Sequence, residues 1–343
     1  MGEDRVPRSG TRPASPPFGT ANQPAHPRRL DDIKEFNILT YNLLNFESHV
    51  NDVQRDSSGK RQQRGASAKA RDFREQQAAI IRELNPDVGV FQEVDGGGPT
   101  LDRFNHSHLE NAFATLLNEG NDQRGIQVGM FLRRDLPFEV EYRSNKDHQY
   151  DGGNVFSRDV PEMILRIPGQ HKPFLIILGT HYKSKRSRDG DHESNNLRRA
   201  QVDATVEIIQ ELWQEFGAKI PVILAGDFNG NFNNEKEFAS LKRALSMEDP
   251  FNVLNKSAKD RITHTFHPRD GATNKNQLDY LLVSPEIKEC VKQASVYRYK
   301  DASGREIPIP ETFDQRSKNP SDHFPVMLTL DMDCLRRVFS STH

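Results

Sequence analysis

The sequence predicts a layered α/β fold in which β-sheets pack on one another. Three observations lead there. Apolar runs of strand length recur along most of the chain. Few helical patterns separate them, and two of those are long and amphipathic. No shift of composition inside residues 33–343 marks a second domain.

The elements follow in order. Residues 1–32 are rich in Pro, Arg, Gly and Ser and almost free of apolar side chains, which is the composition of a disordered leader. Its five arginines could touch an anionic partner. The folded region, residues 33–343, opens with Phe36–Tyr41, an alternating strand that ends at Asn42. His49–Ser67 is polar and reads as a mobile loop. Ala68–Asn85 reads as a helix with an apolar stripe of Phe73, Ala79 or Ile80, and Leu84, broken by Pro86. Asp87–Glu93 is a strand that ends on a carboxylate. Further strands are expected at Ile126–Leu132, Phe138–Tyr142, Val160–Ile167 and Phe174–Thr180. Asn195–Phe216 is a helix that gathers Leu197, Ala204, Ile208 and Leu212 on one face. Strands return at Val222–Ala225, Leu278–Val283, Val291–Tyr297 and Phe324–Asp331.

Composition narrows the function. The chain has 47 basic and 49 acidic side chains and a net charge of −2. A nucleic-acid coat protein and a membrane-surface protein are both disfavoured, and attraction to a polyanion must come from local patches. Two such patches exist. Residues 183–199 carry six basic and three acidic side chains, and residues 49–74 carry seven and three. An ordinary solvated face explains either patch as well as a phosphate contact does. The two cysteines, Cys290 and Cys334, exclude a thiolate metal cluster and leave one bridge open. No run reaches membrane-spanning length. Met1–Arg29 lacks an apolar secretory core, so the default compartment is the cytoplasm, or the exterior if a longer leader has been removed. Oligomeric state is not readable from any motif.

The chemistry sits at strand ends. Asn42, Glu93, His181, Asp227, Asn229, Asp279, Asp322 and His323 all lie at or beside the end of an expected apolar strand, where loops commonly carry function. Asp227 and Asn229, two apart in Gly226-Asp227-Phe228-Asn229, can point the same way. Phosphodiester hydrolysis needs an aligned, deprotonated water, stabilised phosphoryl charge and a held phosphate. Glu93 and Asp322 are hard oxygen donors for Mg²⁺ or Mn²⁺. Asp227 can orient and deprotonate water, and Asn229 and Asn42 can donate to water or phosphate. His181 and His323, if protonated, can bind phosphoryl oxygens, and Asp279 can hold His323 charged. Lys183 and Lys185 alternate beside His181 and could grip flanking phosphates. Taken singly, each residue is better explained as a cap, a turn or a solvated carboxylate. Only the combination argues for catalysis.

In that combination the chain resembles the endonuclease/exonuclease/phosphatase superfamily, which includes DNase I-like enzymes. The resemblance rests on six stations in family order: Thr40-Tyr41-Asn42-Leu43, Phe91-Gln92-Glu93, Gly179-Thr180-His181, Gly226-Asp227-Phe228-Asn229, Leu278-Asp279-Tyr280 and Ser321-Asp322-His323. It runs from Phe36 to about Asp331. It implies a four-layer α/β/β/α sandwich of two packed mixed sheets with the site at one end. It also implies that Glu93 binds metal with Asn42 beside it, that Asp227 and Asn229 handle nucleophile and phosphate, and that Asp279 pairs with His323. Asp322 matches a second acidic position and His181 a phosphate-contacting histidine. General-base duty falls to Asp227 or to the His323–Asp279 pair. His181-Tyr182-Lys183-Ser184-Lys185 with Leu197-Arg198-Arg199-Ala200-Gln201 is similar to bacterial extracellular-nuclease-like members. The Pro-x-Trp-Cys-Asp-Arg run of inositol polyphosphate phosphatases is absent, as is the Trp-containing stretch of abasic-site endonucleases.

The expected activity is therefore metal-dependent phosphodiester hydrolysis of a DNA or RNA backbone with little sequence specificity. The rivals are a phosphomonoesterase or a sphingomyelinase-like phospholipase on the same fold, and a non-catalytic binding protein. A lipid substrate would call for an exposed apolar loop, for which Val155-Phe156 is the weak candidate.

Overall fold

The computed structural model describes residues 27–46, 52–55, 61–64, 68–95, 99–187, 190–268 and 272–341. The first strands are β1 (Glu35–Phe46), β2 (Asp52–Arg55), β3 (Arg61–Arg64), β4 (Val88–Asp95), β5 (Phe113–Leu117) and β6 (Ile126–Arg133). They are followed by β7 (Glu139–Arg143), β8 (Gln149–Tyr150), β9 (Gly153–Asn154), β10 (Glu162–Arg166), β11 (Leu175–His181) and β12 (Val222–Asp227). The last are β13 (His264–Phe266), β14 (Asn274–Asn276), β15 (Asp279–Val283), β16 (Val291–Val296) and β17 (Val326–Asp331). The helices are α1 (Ala68–Leu84), α2 (Thr100–His108), α3 (Asn195–Phe216), α4 (Ala239–Leu245), α5 (Pro250–Val253), α6 (Phe313–Arg316) and α7 (Met332–Ser341).

Two mixed sheets carry the fold. One has six strands in the order β16-β17-β1-β4-β6-β5, and the other has five in the order β15-β12-β11-β10-β7. Within them β1 runs parallel to β4 and β11 parallel to β12, and the remaining neighbours are antiparallel. Strands buried on both faces must be apolar throughout. Leu175–Leu178 and Val222–Ala225 are apolar at every position and completely buried.

Three apolar layers hold these sheets. Ile38, Val90 and Val128 from the larger sheet meet Ile177, Ile223 and Leu281 from the smaller one in a central core. On the outer face of the larger sheet, Leu39, Tyr41 and Phe91 pack with Ala78 and Ile81 of α1 and Phe104 of α2. On the outer face of the smaller sheet, Ile176 and Leu224 pack with Ile208 and Leu212 of α3 and Leu241 of α4. The order helix, sheet, sheet, helix is the expected four-layer sandwich. At the end of the chain, α7 sends Met332, Leu335 and Phe339 into the central core.

Several local expectations change. α3 spans the expected residues, whereas α2, β5, α4 and α7 were not among the expected elements. α7 buries Met332, Leu335 and Phe339. The stretch 49–67, read as a loop, contains an antiparallel hairpin that pairs Asp52 with Arg64 and Arg55 with Arg61. Residues 49–51, 56–60 and 65–67 of it lie outside the described residues. So does most of the expected leader, residues 1–26. Residues 27–32 are docked. Arg28 pairs with Asp87 at 2.6 Å and Asp135 at 3.2 Å, and Leu30 packs on the core. Cys290 and Cys334 form a disulfide, with Cα atoms 5.3 Å apart, which ties α7 to the segment before β16. Among the described residues, no helix is long and apolar enough to cross a membrane.

Candidate active site

Strand direction brings the candidate residues to one rim. Asn42 and Glu93 lie toward the C-terminal ends of the parallel pair β1 and β4, and His181 and Asp227 end the parallel pair β11 and β12. β15 is antiparallel to β12, so its first residue, Asp279, lies opposite Asp227. His181, Asp227 and Asp279 thus form one row across three strands. β17 is antiparallel to β1, with Val326 opposite Thr40, so the preceding Asp322-His323 arrives at the same end.

Local backbone conformation aims the side chains. Gly226 has φ 151°, and a Cβ there would lie 1.9 Å from the Thr180 carbonyl oxygen. Only glycine allows β11 and β12 to pair at that point. Glu93 and Asn229 adopt φ of 60° and 50°. Glu93 does so where the pairing of β4 with β6 shifts register. Asparagine tolerates this conformation, and a glutamate there marks a turn imposed by its surroundings.

Asp227 is the hub. Its Oδ1 accepts the Asn229 backbone N–H at 2.8 Å. Its Oδ2 accepts from Asn42 Nδ2 at 3.1 Å and Asn229 Nδ2 at 3.2 Å. His181 Nε2 stands 3.5 Å and His323 Nε2 3.8 Å from the same oxygen. Burial pushes the Asp227 carboxyl up to about 7, although the His323 cation opposes the rise. His323 Nδ1 lies 2.9 Å from Asp279 Oδ2 and 3.1 Å from Oδ1. Burial alone would strip the His323 proton, but Asp279 and Asp227 outweigh it and push the imidazole up to about 10. Ser321 fixes the turn by accepting the His323 N–H at 3.1 Å and donating to the Asn42 carbonyl at 2.7 Å.

Of the two histidines that could bind phosphoryl oxygens if protonated, His181 is disfavoured as a cation. Burial, reinforced by the nearby Arg158 charge, holds its imidazole well below the usual range. Arg158 is itself buried. It pairs with Asp122 at 3.0 Å and donates to the His181 carbonyl at 3.4 Å. A neutral His181 can still offer one N–H to a phosphoryl oxygen.

The acidic donors have partners of their own. Glu93 Oε2 accepts the Asn45 N–H at 2.9 Å. Asp322 Oδ2 pairs with Arg316 at 2.6 Å, while its Oδ1 is buried without a hydrogen-bond partner. Burial works against ionisation of Asp322, but His323 and Arg316 prevail and hold its carboxyl low. Two clusters each bring donor atoms within 4.8 Å: Asp227 with Asp279 and His323, and His264 with Asp322 and His323. Glu93 belongs to neither. A charged Asp322 carboxylate with an unpartnered buried oxygen, and no free thiol among the described residues, fit a hard divalent cation rather than a soft one.

The remaining expectations divide. Lys185 Nζ is engaged with Glu235 at 2.6 Å, and the Lys183 backbone is anchored by Gln201 at 2.8 Å. Val155 and Phe156 are buried in the core beneath α3, which removes them as a lipid-contacting loop. Arg158, His264 and Arg316 were missed. His264 stacks on His323 with centroids 4.5 Å apart. Its place in His264-Thr265-Phe266-His267, shortly before Asp279, was the available signal.

Two packed mixed sheets flanked by helices, with an acid, amide and histidine cluster where parallel strands end, define the class of scaffold. The chain belongs to the Endonuclease/Exonuclease/phosphatase family, whose model matches residues 39–323. Members of that family are generally hydrolases of phosphoester bonds. Comparison with curated proteins gives no match. Among solved structures, truncated Caenorhabditis elegans TDP2 is similar, with a TM-score of 0.58, 17% identity and coverage of 87% of this chain and 98% of that one. The human Nocturnin catalytic domain with bound sulfate anion has a TM-score of 0.56 and 18% identity, covering 86% and 93%. D. rerio TDP2 complexed with single strand DNA product has a TM-score of 0.56 and 16% identity, covering 87% and 99%. At these identities the likeness is one of fold.

Proposed function

We propose that the chain is a divalent-metal-dependent phosphodiesterase, an endonuclease of low sequence specificity acting on a DNA or RNA backbone. The observation that carries this reading is the buried Asp227 carboxylate, held by Asn42 and Asn229 and faced by His181 and the His323–Asp279 pair. A neighbour on the same fold, D. rerio TDP2, has been solved with a single strand DNA product.

Each residue then has a task. Glu93 and Asp322, with Asn42 beside them, would hold Mg²⁺ or Mn²⁺. When bound, that cation supplies Lewis-acid stabilisation of phosphoryl charge. Asp227 aligns the attacking water and takes its proton, for which a carboxyl near 7 is well matched to neutral pH. Asn229 keeps Asp227 in one rotamer, through both its backbone and its amide. Asp279 holds His323 in the charged state at Nδ1, which leaves Nε2–H to meet the phosphoryl oxygen. His181 donates from a neutral ring.

The test is cleavage of supercoiled plasmid, circular single-stranded DNA and RNA, with Mg²⁺, Mn²⁺ or chelator. Metal-dependent cleavage of a circle is expected. Loss of about 10² to 10⁴ in rate is expected for Asp227→Ala, and a strong loss for Asp322→Ala. A folded wild type that cleaves none of the three under either metal overturns the proposal.

A further inference from the structure

Among the described residues, the large apolar side chains left exposed are Phe266, 54% accessible, and Phe313, 63% accessible. Both stand on the rim of the acid and histidine cluster. Phe266 lies two residues beyond His264 on β13, so the two share one face of the extended strand. The His264 ring packs on His323. β13 runs against the chain that enters the site, since the Thr265 N–H donates to the Asp322 carbonyl at 3.1 Å and the Phe324 N–H to the Thr263 carbonyl at 2.7 Å. Phe313 opens α6. One turn on, Arg316 places its guanidinium 5.9 Å from the Phe313 ring centroid while pairing with Asp322. β14, the partner of β13, is tied to the approach to α6 by Thr273 Oγ1, which donates to the Glu311 carbonyl at 2.7 Å. Phe313 is thus one side chain removed from Asp322, Phe266 shares a strand face with the His264 that packs on His323, and the two segments that carry the rings are tied together through Thr273 and Glu311.

Each ring leaves more than half of its surface in solvent, and their surroundings are polar. Asn274 and Asn276 of β14 are exposed, and Lys318 pairs with Asp314 at 2.8 Å. Lys275 and Glu311 form a further pair beside them. Seating these segments in a lipid surface would carry the Glu311 and Asp314 carboxylates toward hydrocarbon, which is costly. A nucleobase makes no such demand. It needs a flat aromatic face, and every base presents one. Arg316, beside the Phe313 ring and next to the site, adds a cation of the kind that accompanies stacked bases.

We propose that Phe266 and Phe313 form a stacking platform for unpaired bases of the strand whose phosphate lies in the acid and histidine site. The preferred substrate is then single-stranded nucleic acid. This inference rests on the nucleic-acid function proposed above. Stacking reads no base edges, so the platform raises affinity without imposing a sequence.

The test measures binding in a D227N background with Mg²⁺, so that the strand is not consumed. One probe is a labelled oligothymidylate. The other is a strand of equal length whose sugars carry no bases. F266A and F313A are each expected to weaken binding of the first about tenfold and to leave the second unchanged. F266W and F313W should retain binding. Both positions are exposed, so Tm should hold in every variant. Equal losses on both strands, or no loss on either, overturn the platform. Ring-dependent binding to sphingomyelin and phosphatidylcholine vesicles in place of the oligonucleotide overturns it also, by identifying a lipid contact. Wild type that cleaves nucleic acid while the ring variants bind normally removes the platform alone. Wild type that cleaves no nucleic acid removes the proposed function, and the platform with it.

Discussion

Asp227 is costly to the fold and, in the proposed mechanism, useful to the chemistry. Its carboxyl ordinarily titrates at 3.8 and is pushed by burial up to about 7. The folded chain therefore holds this proton longer than the unfolded chain does. Its stability falls as pH rises from about 4 through about 7 and stays lower above that. Asparagine has the same shape without the charge. In chelator, the Tm of wild type relative to that of Asp227→Asn should fall by several degrees as pH rises from about 4 to about 8, since only the wild type carries the buried carboxyl. Parallel melting curves at both pH values would show that the buried charge is not a burden. His323 and Asp279 act as one unit, with 2.9 Å between Nδ1 and Oδ2. The rate loss of His323→Ala should scarcely deepen when Asp279→Ala is added. Additive losses in that double-mutant cycle would separate the two roles.

At the scale of elements, the site depends on how closely β11 and β12 can approach. Gly226→Ala would place a methyl group 1.9 Å from the Thr180 carbonyl. The strands must separate or the turn must re-form, at a cost of about 3 kcal/mol or more. His181 and Asp227, paired across those strands, would lose register together, so a drop in Tm should accompany loss of activity. A variant with wild-type melting would show that the approach is slack. This end of the molecule was legible in the sequence because apolar runs name their own ends. Val222–Ala225 leads to Asp227, and Phe174–Thr180 leads to His181. His264, Arg158 and Arg316 were not legible. His264 sits on a three-residue strand, Arg316 on a four-residue helix and Arg158 in a connection, all too short to show a period. Their partners lie far off along the chain: Arg158 reaches Asp122 and His181, and His264 reaches His323. α7 was missed for a different reason. Its stripe of Met332, Leu335, Val338 and Phe339 has helical spacing, but it follows β17 with no intervening residue and so reads as the trailing end of that strand.

At the scale of the molecule, the candidate site belongs to neither sheet. The six-stranded sheet and the loop leading into it supply Asn42, Glu93, Asp322 and His323, and the five-stranded sheet supplies His181, Asp227 and Asp279. Hydrogen bonds join the halves: Asn42 to Asp227 at 3.1 Å and His323 to Asp279 at 2.9 Å. What fixes those distances is the apolar filling of Ile38, Val90, Val128, Ile177 and Ile223 far beneath them. Turnover therefore works as a gauge of how the two leaves are seated. A slip between them too small to expose the core, or to alter circular dichroism, would still part the imidazole from its carboxylates. In rising urea, activity should fade before ellipticity does. If the two curves coincide, the leaves move only when the whole sandwich comes apart.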